Sequence, residues 1–467
     1  MPTPVATLLA AVIIGWLLRN EQKHAKGVSK ASWLPTLWLL YYATKPIGRW
    51  LDPQGDIESG SAVDQLFMLG LIFMGCRVIS KRKLNWKAEV KRSKWLMLLL
   101  AYMLASSIWS DAPMTSIKQW CRMFGSAIMA LVVMTEEDPN RALQSLFLRT
   151  TYVLIPLSAI LVKYIPNQGI EYRSWNGEKF YVGACLQKNG LGRLCLICAV
   201  FLVWMLIRRW KGRERITWKY QTLVEILILV IIGWLLKGPG NNYPMTAVAV
   251  LVISCGVLFA LMTLKREIAN RLHSAMAVVT LVVALALMFF SVSGMIPSMG
   301  TQTMGRDGTF TGRTDIWDGV RKVAFDNAIV GVGYNGYWYK PHEFPNVPGA
   351  VNEGHNGYLD VFVETGFVGL GLLVIVLASY VFRAKRTKAF DYDWACFRVG
   401  FMLMMVLHNF TETSLLRSSA HFWALFIFMY VVYPEARGHP AKIPKPGTAP
   451  GPAPRPVSGA EPSMGAA

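Results

Sequence analysis

The chain has 467 residues, of which 53% are hydrophobic and 16% charged, with a mean hydropathy of +0.35. Soluble chains carry about 25% charged residues, so this composition excludes a water-soluble multidomain enzyme, a disordered protein and a disulfide-rich secreted module. A polytopic membrane protein remains. Its 48 Lys+Arg against 28 Asp+Glu leave a formal charge of +20. In a soluble protein that excess would suggest nucleic acid, whereas here short cytoplasmic loops account for much of it.

A helix crosses the ~30 Å hydrocarbon core with about 20 apolar residues. Apolar runs occur at 4–18, 31–44, 61–79, 95–110, 117–134, 146–165 and 191–207. Others follow at 221–236, 245–263, 274–294, 358–382, 394–408 and 420–433. The expected fold is therefore all-α and polytopic, with about 12 or 13 transmembrane helices. It divides into an N-terminal helical bundle (1–294), a large loop (295–357) before the span starting near Tyr358, C-terminal helices (358–433) and a tail (434–467). The tail is rich in Pro, Gly and Ala and is expected to be a disordered cytoplasmic extension. The first run has no basic segment before it, so a cleavable signal peptide is not expected.

Lys and Arg gather in the connections 19–30, 77–94, 208–219, 265–271 and 383–388. The connections at 110–116, 166–190, 237–244, 295–357 and 409–419 carry fewer. By the positive-inside rule the first group is cytoplasmic and the second is exported. The large loop is then periplasmic, and no nucleic-acid partner is expected.

The polar residues with chemical potential lie mainly in that loop and in 166–190. Several motif matches there and elsewhere carry little. Gly331-Val-Gly-Tyr-Asn-Gly336 fits a dinucleotide fingerprint, but it lacks the βαβ setting that motif needs; its glycines are expected to make turns and close backbone approaches. Asp391-Tyr-Asp393 is expected to be a solvated charge pair. Cys195 and Cys198 form a C-x-x-C inside an apolar run, with no His or second Cys pair beside it. Arg193 lies just inside the run at 191–207. A charge there is costly, and it either serves function or snorkels to the interface.

Six ordered segments resemble the O-antigen ligase/polymerase superfamily of membrane glycosyltransferases. They are Pro35-Thr-Leu-Trp with Lys45-Pro-Ile-Gly-Arg-Trp50, Ser106-Ser-Ile-Trp-Ser-Asp-Ala-Pro113, Lys188-Asn-Gly-Leu-Gly192, Thr311-Gly-Arg-Thr-Asp-Ile-Trp317 and Ile329-Val-Gly-Val-Gly-Tyr334. The sixth is His355-Asn356, nine residues, then Gly366-Phe-Val-Gly369. They run from about residue 35 to 380. At Asn241-Asn-Tyr-Pro-Met-Thr246 the chain departs from the Ser-Arg-Thr-like run common in relatives, so no additional arginine contact is expected there.

The resemblance implies transfer of a glycan from an undecaprenyl-diphosphate carrier to an acceptor, without a metal or other cofactor. The reaction would occur on the periplasmic side of a bacterial cytoplasmic (inner) membrane. The acceptor hydroxyl could belong to lipid A core, another glycan or a protein. Negative charge developing on the leaving diphosphate suits arginine. Arg313 and Arg193 are the leading candidates, with Lys188 and Arg306 behind them. An ion pair of Arg313 with Asp315 or Asp318 is the structural alternative. His355 would accept the acceptor's proton, with Glu353 orienting it or serving as the base. Asn356 either caps the following helix or touches substrate. Trp317, Tyr334 and Trp338 either stack on sugars or pack the loop. Gly366 and Gly369 are expected to permit close helix packing. A secondary transporter or flippase is the rival class; it predicts charges buried mid-span. A non-catalytic scaffold is a third.

Overall fold

The computed structural model describes residues 3–51, 61–82, 84–172, 177–295 and 312–433. The expected tail and Arg306 lie outside these residues. Fourteen α-helices of eleven residues or more organise the described residues. They are α1 (Thr3–His24), α2 (Trp33–Ala43), α3 (Ala62–Lys81), α4 (Lys94–Ala105), α5 (Pro113–Met134), α6 (Pro139–Tyr164) and α7 (Lys188–Trp210). The rest are α8 (Gln221–Lys237), α9 (Met245–Thr263), α10 (Arg266–Ser293), α11 (Arg313–Asp326), α12 (Gly357–Phe390), α13 (Tyr392–His408) and α14 (His421–Val431). Each of the thirteen apolar runs falls on one of them. Helices α1, α3, α5, α6, α7, α9, α10 and α12 are long and apolar enough to cross a membrane by length and composition. The protein is an all-α polytopic membrane protein. One small hairpin, β1 (Ile170–Tyr172) with β2 (Lys179–Tyr181), pairs antiparallel with Glu171 opposite Phe180.

Burial sorts the helices into shells. Every residue of α14 is buried, and so is every residue of α13 except Leu407. Helix α10 instead buries Ala269, His273, Ala277, Thr280, Ala284, Met288 and Ser291. That spacing of three and four is one helical stripe, and its small residues let backbones approach. The opposite stripe leaves Val278, Val282, Leu285 and Phe289 exposed, as expected of a surface facing lipid. Helix α13 packs on α9, α10 and α12, while α14 packs on α5 and α2.

The basic connections share one face, and their charges are largely paired. Glu136 accepts from Arg82 at 2.7 Å and from the Ser29 hydroxyl at 2.8 Å. Glu214 lies 3.0 Å from both Arg141 and Arg208. Asp393 pairs with Arg213 at 2.8 Å, and Asp391 accepts from the Trp394 amide at 3.1 Å, capping α13. The Asp391–Asp393 pair is therefore not merely solvated: one member caps a helix and the other joins an ion-pair network.

On the opposite face the described part of the large loop, 312–357, is drawn down onto the bundle. Helix α12 is interrupted at Gly366 (φ 62°, ψ −165°). The segment 328–332 occupies the break: the Phe367 amide donates to Ala328 O (2.8 Å), Val368 to Ile329 O (3.1 Å) and Val332 to Val363 O (3.0 Å). A Cβ on Gly366 would lie 2.4 Å from Ile329 O, and one on Gly331 would lie 2.4 Å from Glu364 C. Gly366 thus admits a loop backbone, where helix packing was expected. Gly331 and Gly333 adopt φ of 71° and 96°, so the glycine run makes turns and close approaches, as its setting implied.

Gly366→Ala combines a left-handed backbone with a steric clash. It should destabilise the fold by at least about 1–3 kcal/mol, read as a lower unfolding temperature in detergent.

Candidate active site

The centre of the site is the connection between α13 and α14. Asn409 closes it: its Oδ1 accepts from the Ser414 and Leu415 amides at 2.8 and 2.9 Å. Leu416 in the same connection takes a left-handed φ of 52°. This tight loop presents Glu412, whose side chain is 6% exposed, together with the carbonyls of Thr411 and Thr413.

Three distant segments converge there. Arg313, the first residue of α11, donates to Thr411 O at 2.5 Å and to Glu412 Oε1 at 2.9 Å. Asn189, in the first turn of α7, donates to the same Oε1 at 2.8 Å. Arg193, one turn further along α7, donates to Thr413 O at 3.3 Å. His355 Nδ1 lies 3.4 Å from Glu353 Oε1 and 3.7 Å from Glu412 Oε2. Arg313 therefore pairs with Glu412, not with Asp315 or Asp318.

His355 is held in an unusual way. Its φ of 50° is left-handed, a conformation that costs a non-glycine residue about 1–3 kcal/mol unless its surroundings impose it. Both flanks are fixed. The Gly354 amide donates to Asp360 and its carbonyl accepts from Trp317 Nε1 at 2.8 Å. The Gly357 amide donates to Asn409 O at 2.8 Å and Glu412 O at 3.2 Å. Between them Asn356 caps α12, accepting from the Tyr358 and Leu359 amides at 3.1 and 3.2 Å. Asn356 also donates to Ser291 Oγ at 2.9 Å.

The charges act on one another. Burial opposes the imidazolium of His355, but the carboxylates of Glu353 and Glu412 outweigh burial and Arg313, and its pKa is raised above 6.5. Burial likewise opposes ionisation of Glu412, but His355 and Arg313 overcome it and hold the carboxyl at about 2. Nδ1 turned toward two carboxylates leaves Nε2 as the nitrogen available for chemistry, the arrangement by which a carboxylate orients a histidine base. Glu353, His355 and Glu412 also bring three ligand-type atoms within 4.8 Å of one another. The guanidinium already on Glu412 opposes a second cation there.

The other candidates are placed differently. Lys188 donates to Asn242 Oδ1 at 2.7 Å, with its ammonium 4.7 Å from the centre of the Phe180 ring. Trp317 and Tyr334 are 0% and 1% exposed. Tyr334 donates to Leu416 O at 3.1 Å and its amide bonds Ser106 Oγ at 3.0 Å. In this conformation neither ring presents a face to a sugar. Arg306 lies outside the described residues.

Glu412, Asn189 and the Thr411 and Thr413 carbonyls are absent from the sequence reading as functional groups. One signal was available for Glu412: it is the only acidic residue in 409–419, between two apolar runs.

Residues 242–374 match the family model described as O-antigen ligase. The exopolysaccharide production protein ExoQ of Rhizobium meliloti (strain 1021) is 26% identical over 337 residues, which cover 69% of this chain and 72% of that protein. Over these residues the chain is similar to the O-antigen ligase-like superfamily. It is a multi-pass membrane protein by the length and apolar composition of its helices. The matched region contains Arg313, Glu353, His355 and Asn356, whereas Lys188, Asn189, Arg193 and Glu412 lie outside it. No solved structure matches the chain.

The linked shifts define a pH window for stability. A raised histidine pKa stabilises below 6.5 and is lost as pH rises through the folded value. A depressed carboxyl pKa stabilises above its ordinary 4.5 and is lost as pH falls toward about 2. The stability difference between the natural protein and Glu412→Gln should therefore peak between 4.5 and 6.5, measured as the gap in unfolding temperature across a pH series.

Proposed function

We propose that the protein transfers a glycan from a lipid diphosphate carrier to an acceptor hydroxyl, on the membrane face opposite the basic connections. The observation that carries this is the convergence of half-buried His355, Glu353 and Arg313 on buried Glu412, with Arg193 beside them. Acceptor oxygen attacks the anomeric carbon of the carrier-linked sugar. The new C–O bond forms as the sugar–phosphate bond breaks, and the lipid diphosphate leaves with the bonding electrons. The hydroxyl proton passes to His355 Nε2, and the resulting imidazolium is stabilised by Glu353 and Glu412.

Arg313 and Arg193 are suited to the leaving group. Guanidinium is permanently charged and carries five N–H donors. Among the described residues Arg193 bonds through a single nitrogen, to Thr413 O, which leaves donors for phosphate oxygens. Such contacts strengthen as the phosphate gains charge, which is the condition for lowering a barrier. Exported orientation follows from the Lys/Arg asymmetry. Undecaprenyl diphosphate is the carrier this reading favours, in a bacterial cytoplasmic membrane.

Purified protein in EDTA should move glycan from carrier to acceptor. His355→Ala and Arg313→Ala should each lower the rate by about a hundredfold or more while inserting normally, and full activity in both would overturn the assignment. Since the neutral imidazole is the active form, the rate should rise with pH through a midpoint above 6.5. Glu353→Gln should move that midpoint down. The acceptor is read from a deletion strain. Loss of capped lipopolysaccharide with accumulated lipid-linked polymer identifies a ligase, and a single repeat on core identifies a polymerase. Unglycosylated exported protein identifies a protein-directed transferase.

A further inference from the structure

The groups that meet at the site sit on separate segments, and one carboxylate outside the reacting set ties two of those segments together. Asp360, in the first turn of α12, is 2% exposed. Its Oδ2 accepts the Gly354 amide at 3.2 Å, the Thr413 hydroxyl at 2.7 Å and Arg417 at 3.3 Å. Its Oδ1 accepts Trp338 Nε1 at 3.0 Å. Gly354 stands between Glu353 and His355, and Thr413 follows Glu412. A Cβ on Gly354 would lie 2.3 Å from Asp360 Oδ1, so the glycine itself is required for this approach. Arg417 also reaches Glu364 Oε1 at 3.4 Å, which anchors the far side of the carboxylate.

We propose that Asp360 is a positioning residue: acting through Gly354 and Thr413, it sets how closely Glu353 and Glu412 face His355, and so sets the pH range in which the site works. The inference rests on reading His355 as the proton acceptor. Each tether is one bond from a reacting group, and misplacement of about 1 Å at such a site costs about a hundredfold in rate. The left-handed backbone of His355 makes the tether necessary. Without a fixed Gly354 amide the segment can relax to an ordinary φ, swinging the imidazole away from Glu412. The charged groups facing His355 are Glu353 on its own segment, Glu412 on the 409–420 connection and Arg313 on α11. Loosening either carboxylate lowers the pH at which the ring loses its proton.

The test needs no glycosyl transfer. Diethyl pyrocarbonate modifies neutral imidazole, and mass spectrometry of the His355 peptide gives the midpoint of its titration in the full-length protein. Asp360→Asn removes the carboxylate, whereas Thr413→Val cuts one tether and leaves the carboxylate charge in place. Both should lower the His355 midpoint by about half a unit or more. Trp338→Phe removes a hydrogen bond from the other oxygen of the same carboxylate while its ring stays packed beside Gly354, and its midpoint should fall by less than that of Thr413→Val. If Asp360→Asn fails to fold, Thr413→Val carries the result. An unchanged midpoint in Thr413→Val, or an equal shift in Trp338→Phe, overturns the proposal. Where transfer is measurable, Thr413→Val should lose about tenfold or more in kcat with little change in KM. Lowered midpoints in a protein that transfers no glycan would leave the positioning role standing and remove the transferase reading instead.

Discussion

One ionised carboxylate, Glu412, organises the candidate site. A charged group so enclosed is tolerable only when paired and hydrogen-bonded. Glu412 obtains its partners from three parts of the chain: Asn189 at the start of α7, Arg313 at the start of α11 and His355 before α12. Desolvation thus draws to Glu412 segments 223, 99 and 57 residues away in sequence (412 − 189, 412 − 313, 412 − 355). Among the described residues, removing the carboxylate would leave Arg313 with only a backbone carbonyl and His355 with only Glu353 as its close acidic neighbour. The same interaction that satisfies burial also assembles the cation, the imidazole and the orienting acid on which the proposed group transfer rests.

The fold was largely legible from sequence because its signals are local. Each apolar run contains its own length and composition, and each basic connection its own charge. Runs such as 31–44 and 420–433, short by the length criterion, became α2 and α14, and the complete burial of α14 explains why it needs no polar face. Arg313, Glu353 and His355 were legible as candidates through a motif-ordered resemblance. Their mutual geometry was not, because it is set by Glu412, which lies 57 residues beyond His355 (412 − 355) in a nondescript connection. No periodicity encodes which loop folds over which.

Aromatic residues show a second limit. Trp317 and Tyr334 have the surface chemistry of sugar-stacking groups, and sequence alone leaves stacking and packing equally open. The structure uses both indole N–H and phenol O–H as internal donors, to Gly354 O and Leu416 O. Buried tryptophan and tyrosine need such partners, and here the partners are the segments that carry the candidate site groups. Asp391 and Asp393 make the complementary case. Their spacing suggested a solvated pair, and only the fold reveals that one caps α13 while the other meets Arg213 across 180 residues.

The interruption at Gly366 bears on where the membrane ends. An unbroken helix over Gly357–Phe390 would be about 51 Å long at ~1.5 Å per residue, far more than a ~30 Å hydrocarbon layer accepts without strong tilt. Divided at Gly366, the portion 367–390 measures about 36 Å and suffices for a crossing by itself. The preceding portion, 357–365, is then released from spanning duty. Asp360 and Glu364 lie in that released portion, so acidic groups can stand on a nominally hydrophobic helix without entering lipid. A single glycine thereby draws the boundary between the part of α12 that answers to the bilayer and the part that answers to the chemistry.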